Sequence, residues 1–355
     1  MSAFLDPDRP VRWGILGCGD VTERKSGPAF QAAPGSALVA VMRRTPGLAA
    51  DYARRHGVAR AYTDADALIA DPGVDAVYIA TPPGSHLDLA RRVAAAGKPC
   101  YVEKPIARSA AEGQAMVDAF AAAGVPLFVA YYRRAWARVA VVREAIGSGA
   151  VGRVTSVESV FARPARPDGD VLAWRLRAEE SGGGLLLDLA SHALDLVDLL
   201  LGPLVDVTGT ASRGDAAYAV EQSSAFAFRT GGALADGQSD VVGTGRWSFA
   251  SGVTEDRLTI VGTRGRVTFP VFGASPVVVE TDGEATAHDV APPNPVQGPL
   301  VANLVAALRG AALPLSTGAT AVRASAALDA ILGGYYGGRA DAFWDRPETW
   351  PGALR

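Results

Sequence analysis

From residue 11 to residue 130 the chain alternates short β-rich runs with helical ones, and that alternation constrains the fold more than any other feature. Residues 11–16, 37–42, 75–80, 99–102 and 126–130 read as strands; residues 21–33, 48–56, 87–96 and 110–123 read as helices between them. Strands that alternate with helices imply a parallel, doubly wound sheet with both faces covered. In such a sheet ligands lie beyond the carboxyl ends of the strands, so residues just after each strand are the ones to read for chemistry. After residue 151 the texture changes to successive β-rich runs at 152–161, 205–211, 223–230, 242–249, 257–261 and 265–270. This predicts two domains, an α/β domain at 1–130 and an α+β domain with a large open mixed sheet at 131–355. A length of 355 residues supports two such cores.

The first strand meets Gly17-Cys18-Gly19-Asp20-Val21-Thr22 and a helix follows. Strand, glycine turn and helix form the arrangement in which backbone N–H groups and the positive end of a helix dipole approach a pyrophosphate. Residues 1–130 are therefore expected to form a Rossmann-type dinucleotide domain with Gly17, Cys18, Gly19, Asp20 and Val21 at the cofactor. Thr22 stands where the third glycine of the fingerprint usually lies, so the turn alone also fits a plain loop. The second strand ends on Arg43-Arg44, where an NAD-binding sheet usually places an acid for the ribose 2′-hydroxyl. Two guanidinium forks suit a 2′-phosphate, which favours NADP(H) over NAD(H); the alternative is an exposed basic loop.

Two later strands end Ala80-Thr81-Pro82-Pro83-Gly84-Ser85-His86 and Val102-Glu103-Lys104-Pro105. Together with the glycine turn, these segments resemble the Gfo/Idh/MocA family (glucose-fructose oxidoreductase, inositol dehydrogenase, rhizopine catabolism) of nicotinamide-dependent oxidoreductases. The resemblance implies cofactor contacts at Thr81, Pro82, His86, Glu103 and Lys104. It further implies a C-terminal sheet used for homodimers or homotetramers. The Lys104-Pro105 peptide, in a tight strand-to-helix turn, is a candidate cis bond.

Ser181-Gly182-Gly183-Gly184 leads into an apolar helix that carries Asp188 and His192 at i, i+4, with Asp195 continuing the stripe. By spacing alone these are the polar face of an amphipathic helix. The resemblance instead implies that Lys104, Asp188 and His192 are a catalytic trio. Moving a hydride between an alcohol carbon and a nicotinamide requires a proton to move at the oxygen, and imidazole suits that role. Lys104 either stabilises charge on that oxygen or donates the proton itself. Arg133, Trp174 and Arg175 match the family loosely as sugar or polyol contacts; Trp174-Arg175 reads equally as a surface pair. The position after Tyr131, often Asn in the family, is Tyr132 here. The loop 163–170 reads as a cover over the site or as a static surface loop.

Charge and composition narrow the alternatives. Lys and Arg number 34 against 37 Asp and Glu, a net charge of −3 with no basic block, which excludes a dedicated nucleic-acid binder. The apolar stretch 185–201 is broken by Asp188, His192, Asp195 and Asp198, so no membrane partner is expected. Two cysteines, no signal-like N-terminus and no metal-ligand spacing predict a cytoplasmic, metal-free protein. The expected activity is NADP-dependent hydride transfer on a sugar, polyol or related small molecule. The alternatives are an NAD-dependent glycoside hydrolase with a recycled cofactor and a nonenzymatic nicotinamide-binding sensor.

Overall fold

The computed structural model describes residues 5–165, 173–214, 218–231 and 240–354. Its first sheet has six strands: β1 (Val11–Leu16), β2 (Ser36–Met42), β3 (Arg60–Tyr62), β4 (Ala76–Ile79), β5 (Cys100–Val102) and β6 (Leu127–Val129). They are all parallel, in the order β3-β2-β1-β4-β5-β6, which is the doubly wound dinucleotide-binding order. Every residue of β4, β5 and β6 is buried, as expected for strands covered on both faces. Helices α1 (Gly27–Ala32), α2 (Pro46–His56), α3 (Ala65–Ala70), α4 (His86–Ala95) and α5 (Ala110–Ala123) follow successive strands. The alternation predicted all of these except β3 and α3, which are too short to carry a period. Pro46 opens α2 and Gly57 closes it at φ 65°.

Aromatic side chains fill the layer under β1, β4 and β5. Trp13 and Phe30 lie 4.9 Å apart, and Tyr78 stacks on Tyr101 at 4.9 Å. Nearer the surface, Arg55 and His56 both meet the Glu23 carboxylate, His56 Nε2 at 2.7 Å. The Arg55 hydrogen bond is the main cause that holds Glu23 at about 2. A depressed acid contributes stability above its unfolded value of about 4.3 and loses it as pH falls toward 2. Glu23→Gln is therefore expected to flatten the acid limb of a Tm-against-pH curve between about pH 4.5 and 2; an unchanged limb would refute the assignment.

The chain forms two compact units. One comprises Met1–Ala107, Glu112–Ala135 and Pro293–Ala321; the other comprises Arg108–Ala111, Trp136–Pro292 and Val322–Arg355. The partition is not the single cut of 1–130 and 131–355, because residues 293–321 return to the first unit. There α9 (Gly298–Leu308) buries Leu300, Val301, Leu304 and Leu308 against α1 and the 132–135 turn.

Within the second unit lie α6 (Ala137–Gly147), α7 (Ala178–Ser181), α8 (Leu185–Leu201), most of α10 (Gly318–Tyr336) and an eight-stranded sheet. The strands are β7 (Val154–Ala162), β8 (Leu204–Ser212), β9 (Ser223–Thr230), β10 (Val242–Ser248), β11 (Glu255–Gly262), β12 (Gly265–Phe269), β13 (Val277–Thr281) and β14 (Glu284–His288). Their order is β14-β13-β12-β11-β7-β10-β9-β8, with only β7 and β10 parallel, so the sheet is mixed. One face buries Trp247, Leu258, Ile260, Val267 and Phe269, and α8 packs on the sheet at β8 and β9. Gly243 and Gly245 leave room for Phe228 and Phe226, whose rings stand where a Cβ would be. The opposite face carries cross-strand ion pairs, Arg257 with Glu158 at 2.6 Å and Arg266 with Glu280 at 2.7 Å. β13 and β14 are absent from the sequence reading, although their Asp282-Gly283 turn, with φ 52° and 87°, is a strong hairpin signal.

Candidate active site

The glycine turn sits where β1 passes β4. Gly17 has φ +89°, and a Cβ there would stand 2.6 Å from Thr81 Cγ2 and 3.1 Å from the Thr81 backbone nitrogen. Glycine is thus required both for the backbone conformation and for the close approach of two strand ends. A Cβ on Gly19 would meet nothing closer than 3.9 Å, which leaves space over the turn. Thr22, in place of the third glycine, is buried and turns its hydroxyl back on Gly19, accepting from its N–H at 2.9 Å and donating to its carbonyl at 2.8 Å. Residues Thr22–Ser26 form a π-helical turn, and Tyr52 donates to the Thr22 carbonyl at 2.9 Å. Cys18 is buried, which pushes its thiol up to about 11 and makes it an inert wall. Asp20 is exposed and Val21 half-buried at the helix start.

Arg43 and Arg44 are exposed at the end of β2, and Arg43 Nη1 donates to the Cys18 carbonyl at 3.3 Å. Arg43 therefore borders the glycine turn, and Arg44 follows it at the exposed strand end. Thr81 and Pro82 are half-buried at the end of β4, where Ser85 donates to the Thr81 hydroxyl at 2.7 Å. His86 is fully buried: its Nε2 lies 2.8 Å from the Thr81 carbonyl and its Nδ1 3.0 Å from that of Ile106. Burial pushes this imidazole below its ordinary value, against the pull of the two carbonyls. His86 ties the β4 turn to the β5 turn.

The Lys104-Pro105 peptide is cis, as the tight turn predicts. Glu103 points inward, only 8% exposed. Its Oε1 accepts from the Tyr78 hydroxyl at 2.6 Å and from Gln297 Nε2 at 2.8 Å, while Oε2 accepts from the Lys104 N–H at 3.1 Å. Tyr101 in turn donates to Gln297 Oε1 at 2.9 Å. Glu103 is thus a buried anchor for the Lys104 backbone. Gln297 is invisible to sequence reading, because it lies 194 residues away in a stretch that reads as a connector. Arg133, also buried, donates to the Tyr132 hydroxyl at 2.9 Å with its guanidinium 4.9 Å from the Tyr132 ring, so the atypical tyrosine seats the arginine.

In the second unit Trp174, Arg175 and Asp188 come together. The Arg175 guanidinium lies 4.4 Å from the Trp174 ring and its Nε donates to Asp188 Oδ2 at 2.8 Å. His192, one turn further along α8, is 3% exposed and edges Phe272 at 6.0 Å. Further along α8, Asp198 serves the fold, taking two hydrogen bonds from Arg323 at 2.7 and 2.8 Å. Most of the loop 163–170 lies outside the described residues.

Comparison with known proteins agrees with this geometry. The profile of the "Oxidoreductase family, NAD-binding Rossmann fold" matches residues 11–131, and that of the "GFO/IDH/MocA C-terminal domain" matches residues 139–268. "Oxidoreductase P35" of Formosa agariphila is 35% identical over 83% of this chain and 90% of its own length. A "1,5-anhydro-D-fructose reductase" of Ensifer adhaerens is 29% identical over 72% of this chain and 74% of its own. The crystal structure of the WlbA dehydrogenase from Bordetella pertussis, in complex with NADH and UDP-GlcNAcA, superposes with a TM-score of 0.75 at 26% identity. That match covers 91% of this chain and 95% of the other. The matched family profiles and the dehydrogenases and reductases among the relatives make this a nicotinamide-dependent oxidoreductase. The chain belongs to the Gfo/Idh/MocA oxidoreductase family. Among the described residues, no helix is long and apolar enough to cross a membrane.

Proposed function

We propose that this oxidoreductase prefers NADP(H) and acts at the hydroxyl or carbonyl carbon of a sugar, polyol or related small molecule. The observation that carries the reading is Lys104, anchored at the carboxyl end of β5 by the buried Glu103 in the same sheet that places the glycine turn at the end of β1. The cradle fits the cofactor: Gly17 and Gly19 keep the turn low, the helix start at Asp20 and Val21 faces the open space, and Arg43 borders it, with Arg44 following at the strand end. A bound nicotinamide supplies or accepts the hydride. Lys104 stabilises negative charge on the substrate oxygen, and the His192 imidazole takes or returns that oxygen's proton. Asp188, held by Arg175, aligns the polar end of α8, and Trp174 and Arg133 offer a ring and a guanidinium to a polyol.

The substrate class is supported by the sugar-acting names among the relatives. The reading also includes a homodimer or homotetramer through the outer face of the eight-stranded sheet, which rests on the family resemblance alone, and a reducing, cytoplasmic setting, supported by the buried free thiols Cys18 and Cys100. Incubation with NADP⁺ and a panel of sugars and polyols is expected to give a lasting rise in reduced-nicotinamide absorbance. Product release without such a rise would identify a glycoside hydrolase, and cofactor retention without turnover across the panel would identify a sensor.

A further inference from the structure

Glu221 lies between β8 and β9 in a stretch without a recognisable pattern, yet it is 1% exposed and fully engaged at the start of α8. Both of its carboxylate oxygens stand 2.9 Å from the Gly184 nitrogen and accept its N–H, and Oε2 also accepts a short hydrogen bond from the Tyr336 hydroxyl. Gly184 is the N-cap of α8 and has no side chain with which to cap it. In a capping box an acid three residues into the helix reaches back to the N-cap N–H; here an acid from a distant strand connection makes that contact. The glycines permit it. A Cβ on Gly184 would stand 2.5 Å from the Glu221 carbonyl oxygen, and one on Gly182, at φ +81°, would stand 2.5 Å from the Arg108 backbone.

The C-terminal segment seats Glu221 in turn. Tyr336 is enclosed by Phe343 at 4.8 Å and Trp350 at 4.7 Å, and the Trp350 indole N–H donates to the Phe343 carbonyl at 2.9 Å. The Arg339 guanidinium lies 5.0 Å from the Tyr336 ring and is fixed by Asp329 at 2.7 Å. A buried carboxyl is costly unless its oxygens are hydrogen-bonded, and here the Gly184 N–H and the Tyr336 hydroxyl donate to it. Burial raises the Glu221 carboxyl, opposed by the Tyr336 hydrogen bond.

We propose that Glu221, seated by Tyr336 and the aromatic tail, is a positioning residue that fixes the first turn of α8 and so sets where the Asp188 carboxylate and the His192 ring stand. This rests on the reading of Asp188 and His192 as site residues. The test compares Glu221→Asp, which withdraws the carboxylate by one methylene, with Glu221→Gln, which keeps an acceptor oxygen at full reach. Hydrogen exchange at the amides of residues 184–188 is measured beside NADPH affinity and steady-state kinetics.

Glu221→Asp is expected to exchange these amides at least about tenfold faster and to lower kcat roughly 10- to 100-fold, because small misplacements of reacting groups carry costs of that order. NADPH affinity should be unchanged. Glu221→Gln should restore kcat to within about threefold of the wild type. Wild-type exchange in Glu221→Asp, or equal losses of kcat in the two variants, would overturn the proposal. If Glu221→Asp does not fold, Tyr336→Phe takes its place: faster exchange at 184–188 supports the proposal and wild-type exchange overturns it. A wild-type enzyme without turnover on any sugar or polyol would defeat the functional reading alone, since the exchange measurement still decides the role of Glu221.

Discussion

Lys104→Ala is expected to lower kcat roughly 100- to 1,000-fold, the loss typical of removing one group that stabilises charge on a reacting oxygen. His192→Ala should cost a comparable factor, roughly 100- to 10,000-fold, as the loss of a proton carrier does. The two variants separate the roles. If His192 carries the proton, His192→Ala removes one limb of the pH profile of kcat/KM while Lys104→Ala keeps the shape and loses height. The opposite pattern would assign the proton to Lys104. If both residues serve one oxygen, as proposed, the double variant is expected to fall little below the weaker single variant. Near wild-type turnover in both single variants would sink the mechanism. Lys104→Ala should not unfold the protein: Lys104 is half-exposed, and the anchor beneath it is the Glu103 carboxylate bound to the backbone N–H, which alanine retains.

The paired variant Arg43→Ala/Arg44→Ala is expected to weaken NADPH binding by roughly 100-fold or more, with NADH affinity changed less than about threefold. Each charge-assisted hydrogen bond to a phosphate contributes about 1.5–3 kcal/mol, and 1.4 kcal/mol is tenfold in Kd. Both arginines are exposed, so salt should screen the effect and narrow the gap between the cofactors as ionic strength rises. Fluorescence titration of the wild type with each cofactor decides the matter first: equal affinities for NADH and NADPH would show that the pair is only a basic loop. The family profile and the NADH complex of the related dehydrogenase support a nicotinamide in general, which is why the preference needs its own measurement.

Much of this protein can be read from local pattern. The alternation of residues 11–130, the glycine turn and the Arg43-Arg44 strand end are local features, and local periodicity and turn chemistry report them directly. The runs of the second half likewise announce a sheet, and six of its eight strands were legible. The hairpin β13–β14 is not legible despite its Asp-Gly turn, because the strand Glu284–His288 is mostly exposed and its alternating apolar positions are only alanines, Ala285 and Ala287. Helix α9 is not legible because Pro292, Pro293, Pro295 and Pro299 break the helical pattern around its start.

The site divides in the same way. Spacing alone leaves Asp188 and His192 as the polar face of a helix, and the family resemblance is what marks Lys104, Asp188, His192 and Trp174-Arg175. Both are silent about what holds these groups. Asp188 is paired with Arg175, thirteen residues away; Glu103 faces inward to Tyr78 and Gln297; Gly184 rests on Glu221. Periodicity determined the elements, glycine and charge placement at strand ends pointed to a dinucleotide, and the resemblance carried by the strand-end motifs supplied the chemistry class. Only the tertiary structure decided that Glu103 and His86 turn inward as anchors and that residues 293–321 return to the first unit. The physical reason is that a buried polar group takes whatever partner satisfies it, however distant in sequence, and no local pattern records that choice.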